Sequence, residues 1–392
     1  MVSVCFYFQV HQPYRLKNYT VFDIGKNLDY FNSQKNEEIL KKVAKKCYLP
    51  TNNLMLQLIK KYPEFKISYS FSGVILEQLE KFAPEVIESF RQLVKTGNVE
   101  ILDETYYHSL AFLYSKKEFK EQVVLHNKKI KSLFNYSPKV FRNTELVYNN
   151  ELAKAVEEMG YKGVLAEGAD HILGWRSPNF VYKPKGADIP LLLKNYKLSD
   201  DIAFRFSEKS WKEFPLTIEK YSNWVNGING NGNVVNLFMY YETFGEHQWS
   251  STGIFNFLKS LPGEILKNKD NNFMTPSEVI KNYKPVAELD IPDVISWADV
   301  ERDLSAWLGT KMQQSSIKKI YELEPKIKEQ KNKKILEEWR KLQISDHFYY
   351  MCTKWFNDGD VHKYFNPHDS PYEAFINYMN IFSDLNTKLN RN

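Results

Sequence analysis

Apolar residues come in short runs through the first 245 positions, separated by longer stretches in which they recur every three or four residues. The runs VSVCFYFQV (2–10), FKISYSFS (65–72), NVEIL (98–102), KVFRNTE (139–145), KGVLAEG (162–168) and VVNLFMYY (234–241) predict strands. Segments 34–47, 53–61, 74–95, 117–134 and 149–159 carry helical spacing. Gly97 and Gly160 follow two of these helices directly, where a left-handed residue ends a helix cheaply. Strand–helix alternation of this kind predicts a parallel sheet, open or closed into a barrel.

The texture changes towards the C-terminus. Thr275, Pro276 and Glu278 read as a capping box with proline at the first helical position. Segments 300–320, 321–343, 345–357 and 370–389 have helical period and no clear strand. They predict a helical region packed against the barrel. NGINGNGN (226–233) reads as a turn, and no repeat or low-complexity tract interrupts the chain.

Composition narrows the class. At 392 residues and 43% hydrophobic, the chain can bury a large core. Its 53 basic and 48 acidic residues nearly balance, which excludes a charge-based case for nucleic-acid binding. Stretches such as KNKKILEEWRKL (331–342) read as solvated helix faces. Three cysteines without CxxC spacing argue against a disulfide framework and for a reducing compartment. The apolar N-terminus has no basic leader and no small-residue cleavage site, and no run of about 18 apolar residues predicts a membrane span. A cytoplasmic protein is expected. Its oligomeric state is not readable. The aromatic content, with 25 Tyr, 26 Phe and 8 Trp, fills a core and leaves rings to stack on sugar faces.

Reactive side chains sit where strands are predicted to end: His11 and Gln12, Glu145, Glu167 and Glu242. In α/β barrels that end carries the chemistry. FRNTELVYNN (141–150) sets Arg142 near Glu145, which suits an ionised nucleophile or a structural ion pair. GNVEILDETYYHSL (97–110) adds Glu100, Glu104, Tyr106, Tyr107 and His108. ISWADVERDLSAWLG (295–309) adds Trp297, Asp299, Glu301, Arg302 and Trp307. NLFMYYETFGEHQW (236–249) holds Glu242, Glu246, His247 and Trp249 within eight residues.

In order and spacing, these blocks together with VHQPYR (10–15) resemble the five sequence regions of glycoside hydrolase family 57. The likeness is strongest to its α-amylase branch and extends to the tail WFNDGDVHKYFNPHDSPYEAFINYMN (355–380). The resemblance implies a distorted (β/α)7 barrel over residues 1–295 and a helical domain over 296–392 that completes the cleft. It implies hydrolysis of α-1,4-linked glucan or maltooligosaccharide with retention, without cofactor or metal. By position, Glu145 would be the nucleophile and His11 would contact the sugar beside the scissile bond. His108, Trp297 and Asp299 would line the cleft, and Glu242, Glu246, His247 and Trp249 would serve substrate binding from the fourth region.

One position departs from the family pattern. The acid/base Asp expected before YETFGEHQ is Tyr240. A phenol, with a pKa of about 10, gives up its proton reluctantly near neutrality, and its ring reaches into the space of the leaving sugar. Losing positioned acid–base help costs about 10²–10⁴-fold, so a much slowed or inactive hydrolase is expected. Glu242, two residues on, is expected to share the face of Tyr240 and could in principle take the acid's place, although it would sit farther along the strand. The alternatives are a catalytically silent α-glucan-binding or regulatory relative and, last, a metal-dependent deacetylase, whose HxxxH-type ligand pair the sequence lacks.

Overall fold

The computed structural model describes residues 1–26, 29–354 and 366–391. Its strands are β1 (Val2–Val10), β2 (Ile67–Phe71), β3 (Val99–Leu102), β4 (Val140–Arg142), β5 (Gly163–Glu167), β6 (Val181–Pro184), β7 (Leu191–Lys194), β8 (Val234–Tyr240), β9 (Asn271–Phe273) and β10 (Glu288–Leu289). Seven of them close a parallel ring in the order β1-β2-β3-β4-β5-β7-β8 and back to β1. This is the (β/α)7 barrel that the family resemblance implied, and it closes the parallel sheet that the alternation predicted. β9 pairs with the first residues of β1, while β6 and β10 form a flap beside β7.

The ring is uneven. Ladders of five and seven residue pairs bind β1 to β2 and β8. Two seams are far thinner. β3 meets β4 through the single bridge Asp103–Phe141, and β7 meets β8 through the pair Lys194–Asn236. A buried polar brace stands at the first seam: the Asp103 carboxylate accepts hydrogen bonds from Asn127 at 3.1 Å, from Tyr161 at 2.5 Å and from His126. Asn236 Nδ2 donates to the Leu193 carbonyl at 3.0 Å across the second. The barrel's distortion lies in these two places.

Period-2 alternation places the two cores. On β1, Val4, Phe6, Phe8 and Val10 join the layer of outer helices with Leu40, Met55, Leu79 and Phe90. Cys5 and Tyr7 join the cluster that includes Phe238, Tyr240 and Trp297. Each fully buried ring or branched side chain stabilises the fold by about 1.5–3 kcal/mol.

The helices expected on the barrel are present, with two changes. Helix 74–95 is two helices, Gly73–Phe82 and Pro84–Lys95, because Pro84 cannot continue a helix and starts the second instead. The helix expected over 34–47 ends at Val43 and passes through a π turn, Ala44–Tyr48, into Leu49–Lys61. Pro50 has no N–H for the carbonyl of Lys46, and that carbonyl instead lies against Gly245. The Thr275–Glu278 capping box forms as expected.

Among the described residues no strand follows β10. The C-terminal region holds Ser305–Leu308, Lys311–Glu322, Glu324–Gln330, Lys333–Lys341, Ser345–Tyr349 and Pro371–Arg391. Residues 300–304 are not helical, and the expected helix 321–343 is split at Lys331, which has φ of 53°. Residues 355–365 of the tail that carried part of the resemblance lie outside the described residues.

Candidate active site

β4 ends at Arg142, three residues before Glu145. The chain then turns sharply, with Glu145 at φ 56° and Leu146 at φ 50°. Among the described residues seven non-glycine residues have positive φ. Five of them, His108, Glu145, Leu146, Asp299 and Arg302, lie in the candidate segments, while Asn135 and Lys331 end helices. Each such residue costs on the order of 1–3 kcal/mol and persists only where surrounding contacts hold it.

For Glu145 those contacts are numerous. Its Oε2 accepts hydrogen bonds from Trp297 Nε1 at 2.7 Å and from the Tyr240 hydroxyl at 3.0 Å. Its Oε1 accepts from Ser345 Oγ at 3.0 Å and faces His108 Nε2 at 3.3 Å. Its carbonyl accepts from Ser296 Oγ at 2.8 Å. Every one of these side chains is a donor, so the arrangement accommodates an ionised, acceptor-only carboxylate.

Behind it runs a buried relay. His108 Nδ1 meets Glu104 Oε2 at 2.9 Å, and Glu104 Oε1 accepts from Gln9 Nε2 and Ser70 Oγ, both at 2.8 Å. Burial disfavours charge on His108, but the hydrogen bonds and charges of Glu104 and Glu145 outweigh it and push its pKa up to about 9. Burial likewise works against the Glu104 carboxylate, yet His108 and the charge of Arg142 bring it down to about 2.

His11 stacks on His108 with ring centroids 3.9 Å apart. It takes the opposite protonation state. Burial and then the His108 charge press its pKa down to about 4, against the pull of Asp346. Its Nδ1 contacts Ser72 Oγ at 2.6 Å and its Nε2 contacts Asp346 Oδ2 at 2.9 Å.

The Tyr240 ring meets Trp297 edge-on, with centroids 6.1 Å apart. Burial, and next the charge of Glu145, raise its hydroxyl well above the ordinary phenol value. Trp297 itself packs against Phe204 and Trp307. Asp299 is buried, caps the Val300 N–H at 2.8 Å and faces Lys354 at 3.4 Å.

The residues after β8 diverge. The strand stops at Tyr240 and Tyr241–Thr243 form a 3₁₀ turn, so Glu242 does not share the face of Tyr240. Glu242 is buried against Tyr48 and the His11 N–H, and burial above all raises its pKa to about 7. Glu246 is buried in an ion pair with Lys42 at 2.7 Å. His247 is half-buried and borders a small cavity with Tyr240, Lys194 and Trp297. Trp249 stands elsewhere, 54% exposed, in a separate pocket with Lys46 and Phe255.

Three other expectations change. Among the described residues, Arg142 forms no hydrogen bond or ion pair with Glu145. It points inside the barrel, its guanidinium 4.8 Å from the Phe238 ring, because β4 ends before Glu145 and the turn redirects the carboxylate. The cation that faces Glu145 is His108. Glu100 is held by Ser277. Glu167 lies 3.5 Å from Lys194, with its pKa raised to about 7 by burial against the opposing pull of Lys194 and Arg302.

Ser345 and Asp346, which bring the helical region to Glu145 and His11, were not among the sequence candidates. Their signal was slight: a polar pair opening the aromatic run SDHFYY, at the start of the segment 345–357 that reads as helical. Lys194, closing the short β7, was missed with its strand.

The model of glycosyl hydrolase family 57 matches residues 5–292. A Methanocaldococcus jannaschii protein named as a candidate α-amylase is 46% identical over 396 residues, covering 97% of this chain and 84% of that protein. The Pyrococcus furiosus α-amylase is 25% identical over 65% of this chain, and the match spans 38% of that enzyme's length. In fold, the chain is similar to a family 57 branching enzyme from Thermococcus kodakaraensis. The TM-score is 0.70 at 15% identity, covering 99% of this chain and 90% of the other.

Proposed function

Because the chain belongs to glycosyl hydrolase family 57, we propose that it acts on α-1,4-linked glucan, with Glu145 as nucleophile and with turnover slowed by Tyr240 at the acid/base position. The observation that carries this reading is the convergence of Trp297, Ser345, Tyr240 and His108 on one buried carboxylate at a barrel strand end. Such a cradle of donors fits an acceptor-only carboxylate and orients it for attack on an anomeric carbon.

Tyr240 changes the second role. A retaining glycosidase sets its two carboxyl groups about 5–5.5 Å apart, and the second protonates the leaving oxygen before deprotonating water. The Tyr240 hydroxyl is 3.0 Å from Glu145 and donates to it. Its pKa, raised by burial, makes it a poor acid, and the hydrogen bond draws electron density from the nucleophile. Glycosylation is therefore the slow step for any leaving group that needs a proton.

The same 3.0 Å contact favours a second reading, a silent α-glucan binder, because it occupies the space a scissile bond would need. One series separates the two. An aryl α-maltoside with a good leaving group should be cleaved and maltooligosaccharides scarcely at all, with Glu145→Gln abolishing the aryl reaction. Glucan binding without cleavage of either substrate establishes the silent binder. Aryl cleavage that survives in Glu145→Gln removes Glu145 from the nucleophile role.

A further inference from the structure

The segment from Tyr240 to Trp249 has two sides. His247 faces the cavity beside Tyr240, while Trp249, two residues on, turns away from it into a pocket of about 720 Å³. No residue of the Glu145 cradle lines that pocket. It is walled on one side by the π turn and the helix Leu49–Lys61, and on the other by Trp249, Ser250 and Phe255.

We propose that this pocket is an accessory α-glucan-binding site, distinct from the site at Glu145, with the Trp249 indole as its stacking platform. The proposal rests on the α-glucan reading above for the class of ligand.

Three observations carry it. The platform is open: Trp249 is 54% exposed and Phe255 is half-buried beside it, giving a face on which the C–H side of a glucose ring can lie. The opposite wall carries amides. Asn53 and Gln57 are exposed and four residues apart on one helix, so they project from the same face. Such amides both donate and accept, as the adjacent hydroxyls of a sugar require. Lys46 lies 5.4 Å from the Trp249 ring and holds the indole while offering further donors. The volume lies within the range of small-ligand sites, about 300–1,000 Å³.

The rim is also fixed in advance, which lowers the entropic cost of binding. Thr51 Oγ1 donates to the Phe244 carbonyl at 3.2 Å, Cys47 Sγ to the Tyr241 carbonyl at 3.3 Å, and Lys42 pairs with Glu246 at 2.7 Å. Gly245 has φ of 112°, and a Cβ there would stand 2.2 Å from the Lys46 carbonyl oxygen, so only glycine lets the two walls meet. Both the π turn and this glycine serve to hold Trp249 beside the helix, consistent with the frequent use of π turns at functional sites.

The test is calorimetric titration of the full chain with maltoheptaose, repeated with Trp249→Ala, Trp249→Phe and Gln57→Ala after each variant's thermal transition is shown to match the parent's. Two binding events are expected for the parent. The accessory one should weaken by about 2–13-fold in Trp249→Ala, the equivalent of about 0.5–1.5 kcal/mol of stacking, and recover in Trp249→Phe. Gln57→Ala should weaken it as well. Two events unchanged in Trp249→Ala overturn the proposal. A single event that Trp249→Ala abolishes together with aryl-maltoside cleavage also overturns it, since Trp249 then belongs to the site at Glu145. If no glucan binds at either place, the reading of the whole chain as α-glucan-active falls with it.

Discussion

The ends of β4 and β8 face one another across the site and are equipped very differently. At the β4 end, Glu145 has its backbone forced into a left-handed turn and its carboxylate met by groups from β3, β8 and the helical region. At the β8 end, Tyr240, which we propose stands in the acid/base position, is itself one of those groups. Tyr240 serves Glu145 instead of working opposite it. On the proposed roles, one half of a two-group reaction keeps its support and the other has been turned into support. A site can thus keep its geometry and buried charge balance while losing one chemical role, because the forces that hold a carboxylate in place do not depend on the proton donor across from it.

The sharpest way to break this asymmetry is Tyr240→Asp. It withdraws the hydroxyl from Glu145 and supplies a carboxyl, so cleavage of maltooligosaccharides should rise about 10²–10⁴-fold relative to the parent, measured as kcat/KM. If the rate does not rise, Tyr240 does not stand in the acid/base position.

Next in size is His108→Gln. Removing the cation between Glu104 and Glu145 leaves two buried carboxylates without their shared partner, a loss of about 3–5 kcal/mol that denaturant unfolding should register.

The paired histidines give the comparison a pH axis. His108, raised to about 9, contributes stability that is complete below about pH 6.5 and lost as pH climbs through 9. His11 and His347, each lowered to about 4, act the other way. The unfolded chain takes up their protons first, so stability falls as pH drops from about 6.5 towards 4. Thermal transitions measured across pH should peak near neutrality, and His108→Gln should flatten the alkaline arm and, by lifting its charge from His11, soften the acid arm as well.

The smallest effect should come from Ser345→Ala. It deletes one hydrogen bond to Glu145 at 3.0 Å and should cost about 1 kcal/mol, read as a modest fall in Tm with aryl-maltoside cleavage retained.

Much of this was legible in the chain, and the gaps have physical causes. Six of the seven barrel strands announced themselves as apolar runs between turn residues. β7 did not, because LLLK is four residues long and runs within two residues into the helix Tyr196–Ala203, leaving no periodicity to read. The candidacy of Glu145 and Tyr240 followed from sequence blocks, but their mutual hydrogen bond did not. It depends on a left-handed turn that only tertiary contacts impose. The face of Glu242 was misjudged for a related reason: alternation holds along a strand, and the strand ended one residue earlier than the apolar run. Ser345 and Asp346 were overlooked because a polar pair at the start of a helix is too common to mark a site. Their role arises from docking, when Ser345 N–H bonds to the His108 carbonyl at 2.9 Å.

The thin seams of the barrel have a mechanical consequence. They divide the ring into two arcs, one of β8, β1, β2 and β3 and the other of β4, β5 and β7. Glu145 rides on the second arc, while Tyr240 and His108 ride on the first. The bonds between them are therefore rivets as much as chemistry: they join two plates along the edge where backbone stitching is sparse. A substrate that displaced them would loosen the ring at its weakest line, so the protein resists opening its own site with the same contacts that hold it round.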